Sequence, residues 1–209
     1  EESLSATTIT RDVLLIAAAQ RLIGTVELRL GNFERSEKML MDALTASESH
    51  ADDDYGIYSK GFAQFGLGDL ENERGDIKQA GEWYQKALET WQDPVRKDPV
   101  RHISYAFNGL GFVALKEKRY EEAERYFKEG IHSANEFGRV EELARGQLGL
   151  AMVYLESHAD PKAALGLVNE SMEGFQRQGM QHEIRLGQEF LQKILTLHPQ
   201  LATHQQSHG

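Results

Sequence analysis

Apolar positions in this chain recur with two nested periods, a short helical one within segments and a much longer one between them. Four segments align: NFERSEKMLMDAL from Asn32, DIKQAGEWYQKAL from Asp76, RYEEAERYFKEGI from Arg119 and DPKAALGLVNESM from Asp160. The small residues Ser36, Ala80, Ala123 and Ala164 are 44, 43 and 41 positions apart, and Ala43, Ala87, Gly130 and Ser171 keep the same steps. Bulky columns share the period: Met39, Trp83, Tyr126 and Leu167; Leu40, Tyr84, Phe127 and Val168; Leu44, Leu88, Ile131 and Met172. Upstream, Gly24, Gly68 and Gly111 each precede the small residue of their own segment by 12 positions, and Ala151 precedes Ala164 by 13. Several columns sharing one period mark a repeat array.

The columns have a packing reason. A residue with little or no side chain on one helix lets an antiparallel helix approach, and the facing small residue completes the crossing. Phe33, Ser36, Leu40 and Leu44 then fall on one face of the second helix. A single hairpin cannot bury both of its apolar faces, so each must stack on a neighbour. The expectation is an all-α, right-handed solenoid of about four helical hairpins, near residues 11–50, 54–92, 100–138 and 140–178. A capping helix should follow over 180–197, with Ile184, Leu186, Phe190, Leu191 and Ile194 or Leu195 on its apolar stripe. That last helix would cover the end of the array, with dimerisation as its other reading.

Leu110-Gly111, Ala114, Ala123, Phe127 and the small residue Gly130 resemble the tetratricopeptide repeat, and the other copies match it less completely. The family's usual unit has about 34 residues, so these longer repeats require longer helices or turns. The family's proline near the repeat end is missing, with only Pro94 and Pro99 close to that role. Such long-period repeats look like those of bacterial signal-responsive regulators, peptide-pheromone receptors and kinesin light chains. The resemblance covers residues 11–197.

At the N-terminus, residues 1–10 are polar and Ser/Thr-rich, with Thr8 or Thr10 placed to cap a helix from about Arg11 to Leu30, ended by Gly31-Asn32. Asp52, Asp53 and Asp54 suit the positive end of the third helix better than a calcium loop, whose spaced ligands are missing. That helix carries Gly56, Gly61, Gly66 and Gly68, and should be weak unless the glycines permit close packing. Pro94 and Pro99 bracket the clearest linker, whose Arg96, Lys97 and Arg101 with His102 form a positive spot that reads as a solvated loop or as a receptor for an acidic partner. Pro161 fits the first turn of a helix. The tail 198–209 is polar and expected to be disordered.

Composition narrows the function. The 209 residues are 40% hydrophobic and 27% charged, ordinary for a helical globular protein. The net charge of -10 argues against nucleic acid as a partner, and no apolar run is long enough to span a membrane. The absence of cysteine excludes disulfides and fits a cytoplasmic location. A start at Glu1-Glu2 without Met fits a piece excised from a longer protein.

Candidate chemistry is sparse. His182-Glu183 begins like a zinc-protease helix, but Leu186 stands where the second histidine must be. His204 and His208 are four apart in the tail and read as incidental. Asn169-Glu170-Ser171 matches a glycosylation acceptor, but Ser171 occupies a packing column. Gly66-Leu67-Gly68 follows no strand and lacks the third glycine of a dinucleotide loop. No catalytic residue, metal site or cofactor is expected.

The resemblance implies a groove lined by the first helix of each hairpin. On this sequence it would contain Arg21, Phe62, Phe65, Asp69, Tyr105, Asn108, Phe112, Arg145, Leu148 and Met152, with Thr25, Asn72 and Leu115 beside them. The aromatic members fit inter-repeat packing equally well. The lysine and asparagine clamp with which some family members hold an acidic C-terminus is not matched around Asn108, which favours an apolar helix or extended peptide as ligand. The expected function is a non-catalytic scaffold binding a peptide or partner domain in this groove. The alternative is a ligand-sensing module of a larger signalling or transcription regulator, and self-association through terminal helices is a third reading.

Overall fold

The structure, a computed structural model, describes residues 2–50, 54–92, 101–157 and 159–202, with side chains from residue 12 onward. Asp52, Asp53, Pro94, Pro99, the linker basic residues Arg96 and Lys97, and the histidines at 204 and 208 lie outside that set. Among the described residues the architecture is nine helices: α1 (Glu2–Arg29), α2 (Phe33–Glu48), α3 (Asp54–Arg74), α4 (Ile77–Trp91), α5 (Ile103–Lys116), α6 (Tyr120–Glu136), α7 (Val140–Glu156), α8 (Pro161–Arg177) and α9 (Gln181–Leu197). Consecutive helices pack as hairpins, making this an all-α repeat protein. Two compact units divide within α5, Glu1–Gly109 and Leu110–Gly209.

In the first unit, α1 packs on α2, α2 on α3, α3 on α4, and α1 also touches α3. Its core joins Leu40, Ala43 and Leu44 of α2 to Ala63, Leu67 and Leu70 of α3. The predicted crossing is present: a Cβ at Gly24 would fall 2.8 Å from Leu40 Cγ, and the buried Ser36 hydroxyl donates to the Gly24 carbonyl at 2.8 Å. At Gly68 the added carbon would meet the Tyr84 ring at 2.5 Å. The first helix of the following hairpin carries a glycine at the other contact of the same large side chain. Gly66 lies against Leu40, and Gly109 against Tyr84. A large residue of each second helix is thus clasped between its own hairpin and the next.

The second unit repeats the device. Phe127 of α6 is fully buried, held between Gly111 of α5 and Gly149 of α7, where added carbons would lie 2.7 and 2.2 Å from its ring. Here α6 packs on α7, α7 on α8 and α8 on α9. Phe190 and Ile194 of α9 close a core containing Leu148, Ala151, Leu155, Val168 and Phe175. Burying side chains of this size contributes about 1.5–3 kcal/mol each, so the Leu40, Tyr84, Phe127 and Val168 column is a main source of stability.

Gly31, Gly75, Gly138 and Gly179 have positive φ at the turns, and Lys118 takes the same conformation at φ 59°. Side chains cap α4 and α8, where the carboxylates of Asp76 and Asp160 accept from the backbone N–H groups of Gln79 and Ala163. Pro161 sits in the first turn of α8.

Two expectations need correction. The first helix begins at Glu2 rather than near Arg11, because nothing in 2–10 is Gly or Pro and the Ser/Thr run is accommodated without a break. The order of the tail continues past His198 through a short 3₁₀ turn over 199–202, since Leu201 is apolar and packs against the α8–α9 core. In the glycine-rich α3 the stated exception holds, because its glycines permit close packing: Gly61 lies against the Trp91 indole and Gly56 against the His50 carbonyl.

Candidate functional site

In the first unit the structure gathers Arg21 of α1, Phe62 and Phe65 of α3, and Tyr105 of α5 into one cluster. Phe62 stands edge-on to Tyr105 at 5.3 Å between ring centroids and to Trp91 at 5.0 Å. Phe65 meets Tyr105 at 5.5 Å and Tyr84 at 5.4 Å. The Arg21 guanidinium carbon lies 5.0 Å from the Phe62 centroid, close enough for attraction to the ring face. All four residues are half-buried, so each combines an anchored body with an accessible edge. Asp69, one turn beyond Phe65, accepts a 2.7 Å hydrogen bond from the Tyr84 hydroxyl. Asn108 is buried, at 3% exposure, and belongs to the interior.

Three further residues complete the cluster and were not foreseen. Tyr58, one turn before Phe62 on the same face of α3, packs on it at 4.9 Å. His102 reaches Phe62 at 4.8 Å and Tyr58 at 5.0 Å. Trp91, at 1% exposure, forms the floor. The spacing of Tyr58 and Phe62 could have revealed the first; the other two lie next to the linker, and only folding brings them to α3. The sequence placed His102 in a positive spot, whereas its ring joins an aromatic surface.

The four candidates of the second unit are tied into its structure. Phe112 meets Phe127 edge-on at 5.0 Å. Leu148 is a core residue, at 6% exposure, and Met152 packs half-buried against the same core. Arg145 links α7 to α9, with nitrogens 3.0 Å from Glu141, 3.7 Å from Glu142 and 3.3 Å from Glu183. Leu148 therefore supports the fold and presents nothing to a partner. Elsewhere in this unit, Lys128 at 2.6 Å from Glu124 and a hydrogen bond from Tyr154 hold the Glu124 carboxylate below the usual range against the opposing effect of burial.

Among the described residues no group of three or more His, Asp or Glu is placed to hold a metal ion, and no helix is long and apolar enough to cross a membrane. Ser171 is fully buried and donates to the Val168 carbonyl at 2.8 Å, a packing role.

The fold is that of tetratricopeptide-like helical repeat proteins. Among solved structures it is similar to BtubC (BKLC) from P. vanneervenii, at TM-score 0.64 and 14% identity over 94% of this chain and 84% of that one. It is also similar to a Rap protein solved in complex with Competence and Sporulation Factor, at TM-score 0.56 and 19% identity over 90% of this chain. This chain spans 53% of that protein's length. A Podosopora anserina putative kinesin light chain with TPR-like repeats aligns at TM-score 0.49 and 13% identity, covering 91% of this chain and 96% of that one. No protein-family model matches the sequence, and no curated protein matches it.

Proposed function

We propose that this chain is a non-catalytic protein-interaction module that binds a peptide segment across the exposed edges of Phe62, Phe65 and Tyr105. The observation that carries this reading is the half-buried aromatic surface shared by α3 and α5, with the Arg21 cation stacked at its rim. Aromatic rings fixed by their neighbours lose little entropy when a ligand arrives, and rigid aromatic and Arg groups are the usual anchors of protein interfaces. An apolar side chain would insert between the rings, and a carboxylate or backbone carbonyl would meet Arg21. The reading replaces the longer expected groove with a smaller site on the first unit, because Leu148 and Arg145 are committed to internal packing and ion pairs.

Screening immobilised peptides of mixed sequence tests it. The parent chain should select peptides with an aromatic or long aliphatic anchor, and Phe65→Glu, shown by circular dichroism to be folded, should lose them by about tenfold or more. Peptide selection unchanged by Phe65→Glu would overturn the site, and no selection at all would overturn peptide binding.

A ligand-sensing module of a larger regulator is the second reading, favoured by the similarity in fold to the Rap protein solved with its factor. The two readings differ in what binding does. A scaffold keeps its small-angle scattering profile when the selected peptide is added, whereas a sensor changes it.

A further inference from the structure

One face of α1 is built like an internal stacking face, but among the described residues none covers it. Leu15, Ile16, Leu22, Ile23 and Val26 are each between 44% and 56% exposed, and Ala19 between them is exposed too. The repeat period shows what such a face normally does. The counterparts of Ile23 in later repeats are Leu67, Leu110 and Leu150, at 2%, 6% and 6% exposure, and those of Val26 are Leu70, Val113 and Val153, at 0%, 4% and 1%. The column at Leu22 differs. Its counterparts Gly66, Gly109 and Gly149 leave the space that receives Leu40, Tyr84 and Phe127 from the preceding hairpin, and Leu22 fills that space with its own side chain. A further hairpin of the same kind would collide there, so this face suits a helix held at a greater distance.

We propose that the occupant is α1 of a second copy, packed antiparallel about a two-fold axis near Gln20 and Arg21. The exposed residues follow a seven-residue pattern, with Asp12, Ala19 and Val26 in one column and Leu15, Leu22 and Arg29 in the other. Antiparallel pairing sets Leu15 opposite Val26 of the other copy and Ala19 opposite Leu22, so each large residue meets a smaller one. Ile16 and Ile23 extend the apolar contact along one flank. The same register places Asp12 opposite Arg29 at both ends, and both are exposed. A parallel pair would set Asp12 against Asp12 and Arg29 against Arg29. Charge complementarity therefore selects the antiparallel arrangement, whose two-fold axis makes a closed dimer.

Sedimentation velocity of the full chain over a range of concentrations tests this, with circular dichroism confirming that each variant is folded. The parent should show a monomer–dimer equilibrium, and Leu22→Glu, altering a side chain already facing solvent, should leave monomer alone. Asp12→Arg and Arg29→Asp should each weaken the dimer by about threefold or more, and the double exchange should restore it. A parent that stays monomeric throughout, or a dimer that survives Leu22→Glu, would overturn the proposal. Failure of the double exchange to recover association would overturn the antiparallel register.

Discussion

At the scale of single residues, the repeat works through space that is missing. Gly111 and Gly149 leave room on either side of Phe127, and a Cβ at Gly149 would lie 2.2 Å from its ring. Gly149→Leu should therefore force Phe127 out of position and cost about 1–3 kcal/mol or more. Glu121→Ala, on the exposed side of α6, should stay within about 0.5 kcal/mol. Urea unfolding of both variants against the parent checks the contrast, and equal midpoints would contradict the clasp. Half of this device was legible beforehand. The column of Gly24, Gly68, Gly111 and Ala151 reveals itself as small residues at one period. Gly66, Gly109 and Gly149 share that period, but they admit a side chain from a different hairpin, and α1 breaks their column with Leu22. The aromatic cluster divides along the same line: Phe62, Phe65 and Tyr105 are expected from the tetratricopeptide resemblance, whereas Trp91 reaches them through the gap at Gly61, which no linear pattern announces.

Among the elements, turns decide where each helix stops. Gly31 and Gly75 adopt positive φ just after their helices, and in the third hairpin Lys118 does so at φ 59°. Behind it, Arg119 N–H closes on the Ala114 carbonyl at 2.8 Å, the same closure that Asp76 N–H makes on Glu71 at 2.9 Å behind Gly75. The conformation is thus imposed by hydrogen bonding rather than chosen by lysine, whose Cβ disfavours it. Lys118→Gly should raise stability by about 0.5–1 kcal/mol after the greater freedom of glycine in the unfolded chain is counted. A melting temperature that falls instead would mean the lysine side chain makes a compensating contact. Helix starts were harder to read than stops. Ser/Thr residues near the beginning of α1 look like caps, yet with no Gly or Pro to stop it the helix runs through them to Glu2.

For the molecule as a whole, stability should be local, because each hairpin is held by its immediate neighbours. Each compact unit has a core of its own: Leu40, Leu67 and Leu70 in the first, and Phe127, Val153, Val168, Phe175 and Ile194 among others in the second. Gly66→Leu would drive a side chain into Leu40, where the added carbon already falls 2.8 Å away, and so loosen the α2–α3 contact. Hydrogen exchange followed by mass spectrometry should then show lost protection in α2, α3 and α4, while peptides from α8 and α9 keep theirs within about twofold. The reciprocal variant, Gly149→Leu, should release α6 to α8 and spare α2. Uniform loss of protection in either variant would instead mean that the chain unfolds as one cooperative body.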